Sequence, residues 1–314
     1  MFRTNDLILI LVVFSSMFTG IYFPDATSLF QPYPVYAMMF LLFLSFISID
    51  MRSVWDLIQK SWGTVLWLSV LKMLILPVGI YFLFKVFYPP YALAALLVTG
   101  ISTGVVAPFI STLVGANGPL VLILVVVSSL VVPFTLPALI KILLEREIQI
   151  SLLAMMRVLF MVVFIPAFLV EVSRRLIPGT LKRLQRAGFY MSLGCFTVVN
   201  LGVFSKYGLF FRQNPATILE AAIVAMILAI IYFILGIVVV YKAPLKDQLA
   251  SIIGFANMNN VLVIVFAAEF FSPLEPTLAA VYILPFFGII FPLRIYRGIR
   301  DKKDQGELNL NPHR

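Results

Sequence analysis

Apolar runs of about 20 residues follow one another along almost the whole sequence. A helix needs roughly that length to cross about 30 Å of hydrocarbon, and the chain is 62% hydrophobic with a mean hydropathy of +1.06. Because no water is available in lipid, such runs must satisfy their backbone internally, as helices do. The sequence therefore predicts an all-α integral membrane protein with ten transmembrane helices, at residues 6–23, 33–50, 62–87, 91–114, 118–143, 150–172, 189–210, 216–241, 247–271 and 274–296.

The positions of the basic residues predict the orientation of these helices. Lys and Arg in short loops are retained on the cytoplasmic side, and a cytoplasmic N-terminus places most of the 23 basic residues there. Ten spans then leave both termini inside, in an inner (cytoplasmic) or plasma membrane. The net charge of +9 is explained by this bias, so we expect the lipid bilayer and no nucleic acid as a partner.

Cysteine and histidine are too scarce for several kinds of site. Cys195 is the single cysteine and His313 the single histidine, which excludes an internal disulfide and histidine-based triads. No predicted span combines a nucleophile, a base and an orienting group. We therefore expect no enzyme, no cofactor and no metal cluster.

Two of the predicted helices carry helix-breaking residues near their middle. The first break is the segment Gly100 to Pro108 (GISTGVVAP), and the second is Gly254 to Asn260 (GFANMNN). Gly lowers helix propensity, while Pro removes a donor and clashes with the preceding turn. Backbone groups freed at such a depth need protein or a wet cavity as partners, which is typical of a transport site.

The breaks fall in the fourth and ninth predicted helices, which indicates two inverted repeats of five helices. The repeats are predicted at residues 1–149 and 150–298, followed by a cytoplasmic tail at 299–314. Paired prolines recur in each fifth helix, as Pro133 with Pro137 and as Pro285 with Pro292. The basic run from Arg174 to Arg186, which contains Pro178 and Gly179, is predicted to be a loop near the middle of the chain. The alternative is that Gly and Pro, which are common in membrane helices, recur by chance.

Several polar residues inside the apolar runs are candidates for a substrate site. Lys72 lies near the centre of its span, where a lysine costs roughly 2.5 to 3.5 kcal/mol and should face a polar partner in the bundle interior. Its alternative role is to tie helices together through carbonyl groups. The other candidates belong to the two breaks and could instead bond neighbouring backbone or fasten helices to each other: Ser102, Thr103, Gly104, Pro108, Asn257, Asn259 and Asn260. The carboxylates Glu220 and Glu269 lie near helix ends and are predicted to be interfacial.

Four segments resemble the bile acid:sodium symporter family, over nearly the whole chain. They are Phe40 to Arg52 (FLLFLSFISIDMR), Lys72 to Pro77 (KMLILP), the region from Ser102 to Leu120, and Gly254 to Asn260, in which Met258, Asn259 and Asn260 match best. The resemblance implies a core of helices 3 to 5 and 8 to 10, in which the broken helices 4 and 9 cross. It also implies a neighbouring panel of helices 1, 2, 6 and 7.

The sequence departs from the family at the positions that the resemblance assigns to sodium. The family's Ser-Asn pair falls on Ala107 and Pro108, its fifth-helix hydroxyls on Val121 and Val125, and its shared acidic residue on Phe255. The glutamine of its second sodium site falls on Lys72. Because sodium needs several oxygen ligands, we expect these sites to be lost and a fixed ammonium group to stand where one cation would bind.

The sequence favours a secondary transporter of a small organic anion, such as a bile-acid-like compound or a keto acid, working by alternating access. Half-helix N-termini suit a carboxylate, and Lys72 would supply positive charge. A proton released by a buried lysine could couple transport; a sodium-coupled symporter with non-standard ligands is an alternative. A second alternative is a receptor or scaffold on the same fold that does not transport.

Overall fold

The structure, a computed structural model, describes residues 4–49, 51–144 and 150–310, and most of these residues lie in helices. In chain order the helices are α1 (Thr4–Tyr22), α2 (Pro24–Thr27), α3 (Pro34–Ile47), α4 (Met51–Val70), α5 (Leu76–Phe87), α6 (Ala92–Gly100), α7 (Ala107–Val114), α8 (Gly118–Leu144), α9 (Leu152–Leu176), α10 (Pro178–Lys206), α11 (Gly208–Gln213), α12 (Ala216–Val238), α13 (Leu245–Ala256), α14 (Asn260–Phe270), α15 (Leu274–Val281), α16 (Ile283–Gly288) and α17 (Ile290–Leu310). Short 3₁₀ turns lie at Ser28–Phe30 and Pro89–Tyr91, and a π-helical segment, Leu71–Ile75, joins α4 to α5.

Several of these helices are long and apolar enough to cross a membrane. By length and composition, six spans of the described residues qualify, or seven if the bent pair Pro24–Phe30 and Pro34–Ile47 forms one span. The six are Trp62–Phe87, Gly118–Leu144, Leu152–Leu176, Pro178–Lys206, Ala216–Val238 and Leu274–Arg300. The chain is thus an all-α protein with several membrane-spanning helices, whereas the ten-helix arrangement stays a prediction.

The loop predicted within the basic run from Arg174 to Arg186 is wrong. Helix α9 continues to Leu176, α10 begins at Pro178, and Ile177 alone separates them. Proline is tolerated in the first turn of a helix because its missing N–H would have no intrahelical partner there. The run therefore lies in two helix ends, between the sixth and seventh predicted spans, and does not mark the boundary between the predicted repeats. That boundary was placed between residues 149 and 150, next to residues 145–149, which lie outside the described residues.

The predicted tail is partly helical. Residues 299–310 continue α17, and residues 311–314, which include His313, lie outside the described part of the chain.

Helices α1, α3, α9 and α10 pack against one another, and α4 to α8 together with α12 to α17 form a second group. Arg174 on α9 joins two helices of the first group, because its Nη2 donates to the carbonyl oxygens of Phe46 (3.0 Å) and Ile47 (3.3 Å) at the end of α3. Glycine allows another close contact, since a Cβ at Gly202 of α10 would lie 2.6 Å from the carbonyl oxygen of Phe30. Both predicted helix breaks lie in the second group, so this group supplies the backbone atoms of the candidate site described next.

Candidate solute site at the paired helix breaks

The two predicted breaks are confirmed as interruptions of helical structure. Helix α6 ends at Gly100 and α7 begins at Ala107, while α13 ends at Ala256 and α14 begins at Asn260. Pro108 differs from the prediction, because it lies in the first turn of α7 and does not interrupt it. Proline fits there for the same reason as Pro178 does in α10. We call residues 101–106 the first break and residues 257–259 the second break.

The two breaks pair with each other through their backbones. Thr103 and Met258 form an isolated antiparallel β-bridge. The N–H of Gly104 donates to the carbonyl oxygen of Asn257 (2.7 Å), and the N–H of Asn259 donates to that of Ser102 (2.9 Å). The prediction that the breaks lie together is therefore confirmed. Each break satisfies backbone groups that the other has freed, as a segment without access to water requires.

Side chains add further bonds across this pairing. The hydroxyl of Thr103 donates to the carbonyl oxygen of Gly254 (2.7 Å), and the N–H of Thr103 donates to the hydroxyl of Ser128 on α8 (2.9 Å). The amide of Asn257 donates to the carbonyl oxygen of Phe286 (3.0 Å). Thr103 and Asn257 are fully buried. The structure thus gives both residues a role in fastening the breaks, the alternative that the sequence left open.

Gly104 is required by the closeness of the pairing. A Cβ at this position would lie 2.9 Å from the carbonyl oxygen of Met258, 3.3 Å from that of Asn257 and 3.2 Å from the ring of Phe286. Two of these neighbours are backbone atoms, which cannot move away as a flexible side chain can. The breaks can therefore meet only where one of them lacks a side chain.

Lys72 lies on one face of the crossing, where α6 and α13 end. Its side chain is 1% exposed and lies in the π-helical segment between α4 and α5, a kind of segment that is frequent at functional sites. Its Nζ donates to the carbonyl oxygens of Thr99 and Phe255, each at 3.2 Å, and lies 5.4 Å from the ring centroid of Tyr232. These carbonyls belong to the last turns of two half-helices, which carry partial negative charge. The ammonium group therefore neutralises both C-terminal ends at once.

The C-terminal ends of the other two half-helices, α7 and α14, are also contacted by basic side chains from neighbouring helices. Arg297 on α17 donates to the carbonyl oxygen of Val114 at the end of α7 (2.8 Å), and Lys206 donates to that of Ala268 near the end of α14 (3.0 Å). A cation near a helix C-terminus typically contributes 0.3 to 1 kcal/mol, and more when partly buried. All four half-helices formed by the breaks thus have a cation at their negative end.

The N-terminal ends of α7 and α14 face a cavity on the opposite side of the crossing. This cavity has a volume of about 420 Å³, which is within the range of small-molecule sites. The first break and the start of α7 contribute Gly104, Val105, Val106 and Phe109, and the second break and the start of α14 contribute Met258, Asn259, Asn260 and Val261. The N-terminal end of a helix carries partial positive charge, while most of the first N–H groups of α7 and α14 already donate to oxygen atoms of the two breaks. This end of the cavity is therefore suited to an anion.

The opposite wall of the cavity comes from the other group of helices. Helix α3 and its C-terminal cap contribute Met38, Leu41, Leu42, Ser45 and Ser48, and α10 contributes Phe189, Ser192, Leu193 and Phe196. The lining is completed by Ile283, Phe286 and Phe287 of α16, which belongs to the second group. None of these lining residues is charged, and most are apolar. No sequence pattern predicts this wall, because Ser, Phe and Leu are common throughout membrane helices.

Two asparagines supply the polar groups at the positive end. Asn259 caps α14, its Oδ1 accepting from the N–H of Leu262 (3.3 Å), while its buried Nδ2 has no hydrogen-bond partner among the described residues. Asn260 follows it with a buried, unpartnered Oδ1. A buried polar atom without a partner costs free energy unless a ligand or water satisfies it. These amides therefore offer one donor and one acceptor to a solute.

Three predicted site residues line the cavity, and the others lie elsewhere. Gly104, Asn259 and Asn260 contribute to the lining, whereas Lys72, Ser102, Thr103, Pro108 and Asn257 do not. Ser102 is fully buried with an unpartnered hydroxyl. In the described residues, no group of three acidic, histidine or cysteine side chains could hold a metal ion.

No family model and no curated protein matches the sequence of this chain.

Proposed function

We propose that the protein is a secondary transporter of a small amphipathic organic anion. The observation that carries this proposal is the cavity of about 420 Å³ at the N-terminal ends of α7 and α14. The anionic group of the solute would lie at the positive ends of the two helix dipoles and accept a hydrogen bond from the Nδ2 of Asn259. Its apolar body would pack against Met38, Leu41 and Phe196, which suits a carboxylate on a hydrophobic scaffold.

We further propose that the chain has the architecture of the bile acid:sodium symporter family, with two inverted five-helix repeats. The matched pairing of the two breaks supports it, as each break stands between two short half-helices. In this arrangement α1, α3, α9 and α10 correspond to the panel, and the group that contains the breaks corresponds to the core. The cavity lies between these two groups, where their relative movement would expose it alternately to each side.

Lys72 supports a mechanism without sodium. Its Nζ contacts the carbonyl oxygen of Phe255, the residue that falls on the family's shared acidic position. An ammonium group at this place would supply the positive charge that a bound cation supplies in a symporter. Transport would then proceed by uniport or exchange, or by coupling to protons if Lys72 releases one during the cycle.

Uptake into proteoliposomes tests the proposal. A thermal-shift screen of the purified protein against organic carboxylates and sulfonates would first identify a stabilising anion. We expect the reconstituted protein to accumulate or exchange this anion equally well with sodium and with potassium outside. Saturable binding without any uptake would instead support the receptor alternative, and the absence of binding by any anion would contradict an anion site.

A further inference from the structure

A groove on the surface of the bundle, distinct from the central cavity, lies between α5 and α12. It has a volume of about 430 Å³. Leu83, Phe84 and Phe87 of α5 line one side, and Ile223, Ile227 and Ile231 of α12 line the other. Both helices belong to spans that could cross a membrane, so the surface that carries this groove faces the bilayer.

The length of the groove matches one leaflet. Along α12 the lining runs from Glu220 to Ile231, a distance of about 16 Å at 1.5 Å per residue. Half of a hydrocarbon core of about 30 Å has nearly the same thickness. Phe84 and Val224 form a buried floor, whereas Phe87, Ile223 and Ile227 are exposed along its edges. These dimensions suit a single acyl chain lying along α12.

One end of the groove is polar and aromatic. The hydroxyl of Tyr88 donates to the Oε2 of Glu220 (3.2 Å), and the ring of Tyr88 stacks on that of Tyr91 with centroids 5.0 Å apart. Glu220 is exposed, and no ion pair joins it to another residue in the described ranges. A carboxylate beside an aromatic pair attracts a cation through its charge and through the ring faces.

From these features we propose that the groove binds one phospholipid with a primary ammonium headgroup and no net charge, as in phosphatidylethanolamine. One acyl chain lies between α5 and α12, and the ammonium group pairs with Glu220 beside Tyr88. An anionic headgroup such as phosphatidylglycerol is disfavoured because it brings a second negative charge to Glu220 without a compensating cation. Phosphatidylcholine has the positive charge but no N–H donor, and therefore ranks between the two.

Native mass spectrometry of the purified protein with lipids of identical acyl chains tests the headgroup. We expect the wild-type protein to bind phosphatidylethanolamine about threefold more tightly than phosphatidylglycerol, the scale of an exposed ion pair. Glu220→Gln should remove this preference. Glu269→Gln, which neutralises an exposed carboxylate near the end of α14, should retain it. Equal binding of the two lipids by the wild type, or an equal loss of preference in both variants, would overturn the proposal.

A second pair of variants tests the chain-binding groove. Ile227→Trp fills the groove and should weaken binding of all three lipids several-fold without changing the order of their affinities. Met226→Trp adds the same bulk at an exposed position of α12 outside the groove and should bind lipid as the wild type does. Unchanged lipid binding by Ile227→Trp, or the same loss in both variants, would show that the lipid is held elsewhere.

Discussion

On one face of the helix crossing, the C-terminal ends of α6 and α13 meet the buried ammonium group of Lys72; on the other face, the N-terminal ends of α7 and α14 meet a cavity. Both faces arise from the same two breaks, because interrupting a helix creates one negative and one positive end. The protein fills the negative face with its own cation. It leaves the positive face open to a solute.

The difference between the faces shows how one pair of breaks can bind an anion without a bound metal ion. Carbonyl oxygens at the negative face accept hydrogen bonds from Lys72, so this face needs no external partner. The positive face retains the partial positive charge of two helix ends and the Nδ2 of Asn259, which has no partner among the described residues, so it gains most from an anionic ligand. Variants that alter one face, or the contact between the two faces, therefore test this difference.

The largest effect is expected where the two faces are joined. Gly104→Ala places a Cβ against the carbonyl oxygens of Met258 and Asn257, and overpacking of this kind typically costs about 1 to 3 kcal/mol. We expect the melting temperature of the variant to fall and its anion affinity to be lost, because the start of α7 must shift away from α14. Thermal unfolding and ligand binding of the purified variant measure both effects.

Gly79→Ala is the matched control for this change. A Cβ at Gly79, in α5, would meet no atom within 4 Å, and alanine is favoured over glycine in a helix by up to about 1 kcal/mol. This variant should be as stable as the wild type or slightly more stable. Similar destabilisation by both alanines would mean that the closeness of the breaks is unimportant.

The second-largest effect, a loss of anion affinity, is expected when the charge at the negative face is removed. Lys72→Met removes the charge but keeps a long apolar side chain, and charges several ångströms apart at an effective dielectric constant of 20 interact by about 2 kcal/mol. We expect the anion affinity to fall by about thirtyfold, the equivalent of 2 kcal/mol. Lys72→Gln should weaken binding similarly, and it is the variant in which a response to sodium could return. Titration of the anion in sodium and in potassium buffers measures both properties.

An unchanged anion affinity in Lys72→Met, with a change in melting temperature alone, would make Lys72 a structural tie between helices. In that case the ammonium group does not contribute to the solute site, and the comparison between the two faces loses its functional meaning.

The smallest expected effect is that of sodium on the wild-type protein. A cation that binds only the folded state stabilises it by about 2.7 kcal/mol at a hundredfold excess over its Kd. Because Phe255, Val121 and Val125 offer no side-chain oxygen, we expect no such stabilisation. Melting curves in sodium and potassium at equal ionic strength should coincide. A saturable increase with sodium alone would show that other oxygen atoms bind it.

The sequence predicted the breaks but only part of their surroundings. Gly, Pro and Asn inside apolar runs are visible locally, so both breaks and the burial of Lys72 could be predicted. The partners of Lys72 could not, because Thr99 and Phe255 bind it through carbonyl groups that every residue has. Ser128 stands out as a polar residue in an apolar run, yet only packing shows that it accepts from Thr103. The position of Pro108 was misjudged because proline both breaks helices and begins them.

The anion affinities of Asn259→Asp and Asn259→Ser test the central claim most directly, namely that a solute anion binds at the N-terminal end of α14. Both variants keep an oxygen that can cap the helix, but only Asp adds a negative charge, which also favours a helix N-terminus. The account predicts that Asn259→Asp melts no lower than Asn259→Ser yet binds the anion at least tenfold more weakly. Equal anion affinities in the two variants would contradict the account and place the solute elsewhere.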